Sequence, residues 1–306
     1  MGIIDQGKVI VEVGINESAM KARNPHVPYV EDEAIPDIIA AAKAGAAIVH
    51  FHSRDAEGKQ IWDADGYYRT VMSGVNAEVQ PVMYPTYFGS HSHIWALDDD
   101  RPVGPPMSTA PFDIIQGVGQ VAWNPVANDF VELPIEAPGA SRPVHPPVLE
   151  EMYRRGIVPT VASFDLRDVR WAVLAARSGV LRAPISLKLF LCESWISGPW
   201  PTPEGIDAYV SQLPSDIEVE AVVVPMLMND RAATEKLLKH ALDRGLHIRV
   251  GIGDNPAAFP TYTNANLVEM AVEMVTKHGY EPATPADVRA RWADAELVVS
   301  GSGEDG

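Results

Sequence analysis

Apolar positions along the chain fall into short, nearly unbroken runs separated by stretches of helical period, an alternation that predicts strand–helix units rather than hairpins. The strand candidates are "VIVEVGI" at 9–15, "AIVHFHS" at 47–53, "VQPVMYPTY" at 79–87 and "QVAWNPV" at 120–126. They continue with "VPTVASF" at 158–164, "ISLKLFLC" at 185–192, "IEVEAVVVP" at 217–225 and "LHIRVGI" at 246–252. Helical periods occupy 33–44, 65–77, 147–155, 166–178, 204–212, 230–244 and 263–278.

Strands that are apolar on both faces need cover on both, a condition met by parallel strands flanked by helices. Eight such units predict an α/β fold of the (β/α)8 TIM barrel type, a single domain over 1–292, with its site at the C-terminal ends of the strands. A polar tail over 293–306, ending "SGSGEDG", follows and is expected to be loose. The alternative is a doubly wound open sheet, but "VGINESAMKA" after the first strand lacks the spaced glycines that let amides approach a pyrophosphate. Between the third and fourth strands, "GSHSHIWALDDDRPVGPPMSTAPFDII" is a long loop rich in Pro and Asp. A loop of that length is either a lid or binding loop or a solvated excursion.

Composition narrows the partners. The 306 residues are 46% hydrophobic and 21% charged, which fits an ordinary globular chain able to bury a sizeable core. A formal net charge of −17, with no concentrated Lys and Arg, argues against nucleic acid. No apolar run approaches the roughly 20 residues that span a bilayer. The start "MGIIDQGKVI" lacks a leader's basic-then-apolar order and carries Gln6 where myristoylation wants Ser or Thr. The single cysteine, Cys192, permits no internal disulfide and fits a reducing cytoplasm. A cytoplasmic protein with no membrane contact is expected.

The candidate chemistry starts at "IVHFHSRD", residues 48–55. If this run is a strand, His50 and His52 share one face, because side chains alternate with period two, and both lie near its C-terminal end. Two imidazoles so placed can share a divalent ion such as zinc, or they can be a packed core pair. The eighth strand closes with "HIRVGIGDN", placing Arg249 in the strand and Asp254 and Asn255 just past it. That pair is either a structural ion pair or a carboxylate held ready to take a proton from carbon. Asn16 and Glu17 follow the first strand and Glu193 the sixth; such carboxylates also serve as helix caps or solvated loop charges. His91 and His93 repeat the two-apart spacing, but in a loop that spacing does not fix both rings on one side. Trp195 and Trp200, flanking Gly198, suggest an aromatic wall or packing between subunits.

"VHFHSRD" resembles the His-x-His-x-Arg-Asp signature of the β-keto acid cleavage enzymes, the family of 3-keto-5-aminohexanoate cleavage enzyme. "NPHVPYVEDE" at 24–33 is similar to the Asn-Pro-x-x-Pro segment after that family's first strand, and "HIRVGIGDN" to its eighth-strand end. "NANLVEM" at 264–270 and "PATPADVR" at 282–289 resemble its C-terminal helix and closing motif. The resemblance implies a zinc-dependent barrel, generally a homo-oligomer with a tetramer favoured. Such an enzyme takes a β-keto acid and acetyl-CoA and yields acetoacetate and a new acyl-CoA. It implies His50 and His52 as Zn2+ ligands, Asp254 as general base oriented by Arg249, and Glu17 as a contact to the variable end of the keto acid. Thr86 falls where the family binds the substrate's carboxylate. Asn124, on the fourth strand, and Glu193, just past the sixth, are further candidate substrate contacts.

The chain departs from the family at the eighth strand, which normally ends Gly, apolar, Glu, Asp, Asn, that Glu being the third zinc ligand. Here the position is Gly253. Either another carboxylate takes its place, with Glu193, Glu17 and Asp254 as candidates, or the ion is weakly held or absent. "PTYFGSHSH" replaces the family's small turn after the third strand, and "LCESWISGPW" the Pro- and Gly-rich end of its sixth. In "VASFD", Asp165 lies near the family's acidic position but out of register, where Ala162 or Ser163 stands. A metal-dependent hydrolase or lyase on the same barrel, or a ligand-binding member lacking the third ligand, are the alternatives.

Overall fold

A computed structural model describes residues 2–61, 64–85, 153, 158–194, 198–293 and 296–297. Thr86, His91, His93, Asn124, Trp195, the strand candidate at 120–126 and, apart from Tyr153, the helical period at 147–155 lie outside the described residues.

Among the described residues seven strands form one parallel sheet: β1 (Val11–Gly14), β2 (Ile48–Phe51), β3 (Val82–Pro85), β4 (Thr160–Ser163), β5 (Ile185–Cys192), β6 (Val219–Met226) and β7 (His247–Val250). Their order is β3-β2-β1-β7-β6-β5-β4. The first strand pairs with the last, and the numbers fall outward from β7. A doubly wound sheet would place a middle strand beside β1 and count upward. The order is the cyclic one of a (β/α)8 barrel, and the eighth strand that the sequence predicts falls between β3 and β4, outside the described residues.

Helices α1 (Glu31–Ala44), α2 (Asp65–Asn76), α3 (Leu166–Arg177), α4 (Pro203–Val210), α5 (Arg231–Asp243) and α6 (Asn264–Lys277) follow strands, as the periodicity predicts. Their starts are chemically marked. Asp165 accepts from Arg167 N and closes a capping box with Asp168, Thr202 precedes Pro203 at the start of α4, and Asp230 and Thr263 cap α5 and α6. Asp165 is thus the cap of α3, which accounts for its being out of register with a strand-end acid.

Outward residues such as Val13, Val49, Met83, Val161, Leu187, Val223 and Ile248 pack with Ile38, Val71, Ala172, Leu238 and Leu267 of the helices in the main core. A second cluster plugs the barrel's N-terminal end: Ile10, Ile48, Val82, Tyr84 and Val158 meet Ile3, Ala283, Val288 and Trp292. Val288 and Trp292 belong to α7 (Pro285–Ala293), a helix absent from the sequence reading; nine residues with two buried positions are too few to declare a period. Two-residue strands extend this plug, Lys8–Val9 with Glu281–Pro282 in parallel. Glu296–Leu297, within the tail expected over 293–306, pairs antiparallel with Arg182–Ala183. Among the described residues no helix is long and apolar enough to cross a membrane.

In-register neighbours of a parallel pair point to the same face. Glu12 pairs with Arg249, Gly14 with His50, and His50 with Tyr84. The register therefore gathers these side chains on the barrel's inner wall.

Candidate metal centre and adjacent base

The histidines of β2 meet a carboxylate from the loop after β1. Glu17 Oε2 lies 2.7 Å from His52 Nε2, and Oε1 lies 3.3 Å from His50 Nε2. One ligand atom from each of Glu17, His50 and His52 falls within 4.8 Å of the others, the group among the described residues that could hold an ion. Glu17 reaches this place from a left-handed backbone, φ 32°, a conformation that costs a non-glycine residue free energy and is retained where its surroundings impose it.

The motif around His50 supplies those surroundings. Arg54 Nη1 donates to the carbonyls of Asn16 (3.0 Å) and Glu17 (2.7 Å), clamping the turn from below. Asn16 accepts from His52 N at 2.8 Å and donates to His52 O at 3.0 Å, so the ends of β1 and β2 are joined by side chain as well as ladder. Asp55 accepts from the amides of Glu57 and Lys59 and closes the following turn. The Arg and Asp of the signature thus hold the loops that carry Glu17 and the two histidines.

Hydrogen bonding fixes which nitrogens face the centre. His50 Nδ1 lies 2.7 Å from the Tyr84 carbonyl, which can only accept, so Nδ1 carries the hydrogen. His52 Nδ1 donates to Gln60 Oε1 at 2.9 Å; that amide is oriented because its Nε2 donates to Ile61 O and Ser53 Oγ. In the neutral rings both Nε2 lone pairs therefore point at carboxylate oxygens. An acceptor facing an acceptor is relieved either by a proton on the ring or by a metal cation at the centre. Burial disfavours a proton on His50 despite the pull of Glu17. Burial also opposes ionisation of Glu17, but His50, Arg249 and His52 outweigh it and hold the carboxyl well below its usual range. Two imidazoles and one carboxylate with oriented outer nitrogens are a donor set suited to zinc, with room for further coordination.

Beside this cluster stands a buried carboxylate, Asp254. Arg249 donates to Asp254 through Nε (3.0 Å) and Nη2 (2.8 Å), and Nη2 also donates to Glu17 Oε1. Burial pushes Asp254 up to about 7 against the pull of Arg249, with Glu17 adding to the rise. A carboxylate poised near neutrality is matched to proton abstraction at physiological pH. Gly14 makes room for it, since a Cβ there would lie 2.5 Å from both Arg249 Nη2 and Asp254 Oδ2. Asn255 braces the same loop, donating to Pro225 O (2.8 Å) and accepting from Met228 N (2.9 Å).

The three carboxylates offered for the missing ligand separate cleanly. Glu17 joins the histidines, and Asp254 is turned onto Arg249. Glu193 is exposed, accepting from Asn229 N at 2.9 Å, and lies outside the cluster. At Gly253 a side chain has no space: a Cβ would sit 2.6 Å from Asn16 N and 2.8 Å from Gly14 O. Trp200 is exposed. Sequence reasoning missed Glu12, Lys188 and Tyr84, buried polar groups inside apolar strands that bond Arg249 or one another. The interrupted apolar runs "VEV" and "LKL" were the available signal.

Fold and site together define a class: barrel enzymes that place a metal-ready centre beside a buried acid–base pair at the strand ends. Within that class, the profile of the beta-keto acid cleavage enzyme family matches residues 8–293, and the chain belongs to this family. It is similar to 3-keto-5-aminohexanoate cleavage enzyme of Acetoanaerobium sticklandii, 22% identical over 290 residues that cover 92% of this chain and 97% of that protein. It also resembles 3-dehydrocarnitine:acetyl-CoA trimethylamine transferase of Rhizobium meliloti, at 25% identity over 88% of this chain and 91% of that one. For 3-oxoadipate:acetyl-CoA acetyltransferase of Cupriavidus necator the values are 23%, 95% and 97%. A ternary complex of ObcA with a C4-CoA adduct and oxalate shares the fold, with TM-score 0.60 at 15% identity over 88% of this chain and 68% of that one.

Proposed function

We propose that this protein converts a β-keto acid and acetyl-CoA to acetoacetate and a new acyl-CoA at a Zn2+ centre held by His50, His52 and Glu17. The observation that carries the reading is the position of Asp254: a base near neutrality, joined through Arg249 to a metal ligand. The names of the two acetyl-CoA-dependent relatives support the co-substrate.

Charge supports the substrate class. Glu12, Glu17 and Asp254 face Arg249 and Lys188, leaving one buried negative charge in excess. A divalent ion reverses that sign, and a β-keto carboxylate restores neutrality. When bound, the ion supplies Lewis acidity toward the keto and carboxylate oxygens. Asp254 takes the proton from the carbon between the two carbonyls, and Arg249 holds the carboxylate toward it through two hydrogen bonds. The carbanion attacks the thioester carbonyl of acetyl-CoA; a C–C bond forms and the C–S bond breaks. The released thiolate adds to the former ketone, and the original C–C bond breaks in a reverse Claisen step. Acetoacetate and the new thioester leave, and the proton on Asp254 returns.

The test is a panel of β-keto acids incubated with acetyl-CoA and zinc-loaded protein, with acetoacetate and acyl-CoA read by mass spectrometry. Some members should yield both products and His50→Ala should yield neither. Inactivity across a broad panel overturns the reading, and turnover without CoA favours a hydrolase or lyase instead.

A further inference from the structure

Deeper in the barrel lies a set of charged groups that the proposed chemistry leaves unused. Glu12, on β1 in register with Arg249, is fully buried and shares its carboxylate three ways. Oε1 accepts from the Tyr84 hydroxyl and from Arg249 Nη1 (3.3 Å), and Oε2 accepts from Lys188 Nζ. Lys188 comes from β5, three strands along the sheet, and its ammonium lies 5.2 Å from the centroid of the Tyr84 ring.

An ion pair taken wholly out of water contributes little to stability, because desolvation of both charges offsets their attraction, and apolar residues of similar volume serve as well. Fold stability is therefore a weak reason for this pair. Its geometric effect is specific. Asp254 takes the Nε and Nη2 edge of the Arg249 guanidinium, and Glu12 takes Nη1 from the other side. A planar fork held at both ends cannot swing, so the carboxylate bonded to it is fixed as well. Tyr84 links the same group to the metal side: its hydroxyl donates to Glu12, its carbonyl accepts from His50, and its ring lies 4.5 Å from the imidazole.

We propose that Glu12, held in place by Lys188 and Tyr84, is a positioning residue for Arg249 and through it for Asp254, so that the barrel interior sets the aim of the base. This rests on Asp254 being the base and deepens that reading. The test uses Glu12→Gln, Lys188→Met and the double variant, each followed by turnover, thermal unfolding and crystal structure. Lys188→Met strands a buried carboxylate and should lower the unfolding temperature; the double variant should recover it. Glu12→Gln and the double variant should both lose kcat by about tenfold or more with KM little changed, because a small misplacement of a reacting group is costly. In both structures Arg249 should leave its two-bond pairing with Asp254. Full recovery of kcat in the double variant overturns the inference, as does unchanged Arg249–Asp254 pairing. If the wild type turns over no keto acid, the functional reading fails, while the position of Arg249 in the variants still decides whether Glu12 aims it.

Discussion

Glu17 and His52 stand 2.7 Å apart, carboxylate oxygen to ring nitrogen, although the ring's other nitrogen already donates to Gln60. That relationship makes Glu17 the candidate third ligand of the proposed metal centre, in a chain whose Gly253 offers none.

Replacing Glu17 by Gln should therefore remove the anionic donor while keeping its shape. Two histidines alone hold zinc far less firmly, so affinity should fall by about tenfold or more. Metal content after dialysis against a weak chelator checks this; a variant that keeps a full complement would show that Glu17 is no ligand.

Gly253→Glu tests whether the family's ligand can be restored. Its Cβ would press on the backbone of Gly14 and Asn16, so the expected result is a loss of roughly 1–3 kcal/mol of stability with no gain in metal binding. Gly14→Ala is the companion case. Its methyl group enters the space of Arg249 and Asp254, so turnover should fall while metal content stays. Equilibrium denaturation and metal analysis on both proteins separate the outcomes.

The rate should depend on pH through Asp254. Its ionised form is the base, and burial raises its pKa to about 7, so activity should climb as pH rises toward that value and fall about tenfold per unit below it. A bound divalent cation favours the carboxylate and moves the limb lower, so the apparent value should lie at or below about 7. Asp254→Asn should abolish turnover. An Asp254→Asn variant that keeps wild-type turnover, or an acid limb unchanged in that variant, would contradict the assignment.

Gln60→Leu should leave His52 Nδ1 without its acceptor and free the ring to turn. Metal affinity should drop by about 10- to 100-fold, as is typical when an outer partner of a ligating histidine is removed. The far-ultraviolet spectrum should be unchanged, since Gln60 lies outside every helix and strand of the sheet, in an isolated backbone bridge with Arg54.

Much of this architecture was legible in the chain itself. Nearly unbroken apolar runs and helical patterns located the seven described strands of the main sheet and six helices, because burial on both faces leaves the strands apolar throughout. Spacing alone put His50 and His52 on one face, and the eighth-strand motif put Arg249 beside Asp254. Asn24 and Asn264 also lay in quoted motifs. The structure shows them as staples, bonding Phe259 and Tyr262 carbonyls and Ile15 O respectively.

Other roles were settled by tertiary structure, for reasons of distance and direction. Glu17, Glu193 and Asp254 are equivalent as sequence, each a carboxylate just past a strand. A left-handed turn clamped by Arg54 aims the first at the histidines, a neighbouring loop amide holds the second, and Arg249 takes the third. Glu12 and Lys188 interrupt apolar runs far apart in the chain, and only the curl of the sheet brings them together. Local periodicity determines which residues face inward, because it depends on backbone geometry alone. Which inward charges meet depends on how distant strands are arranged around the barrel, and that is decided when the sheet closes.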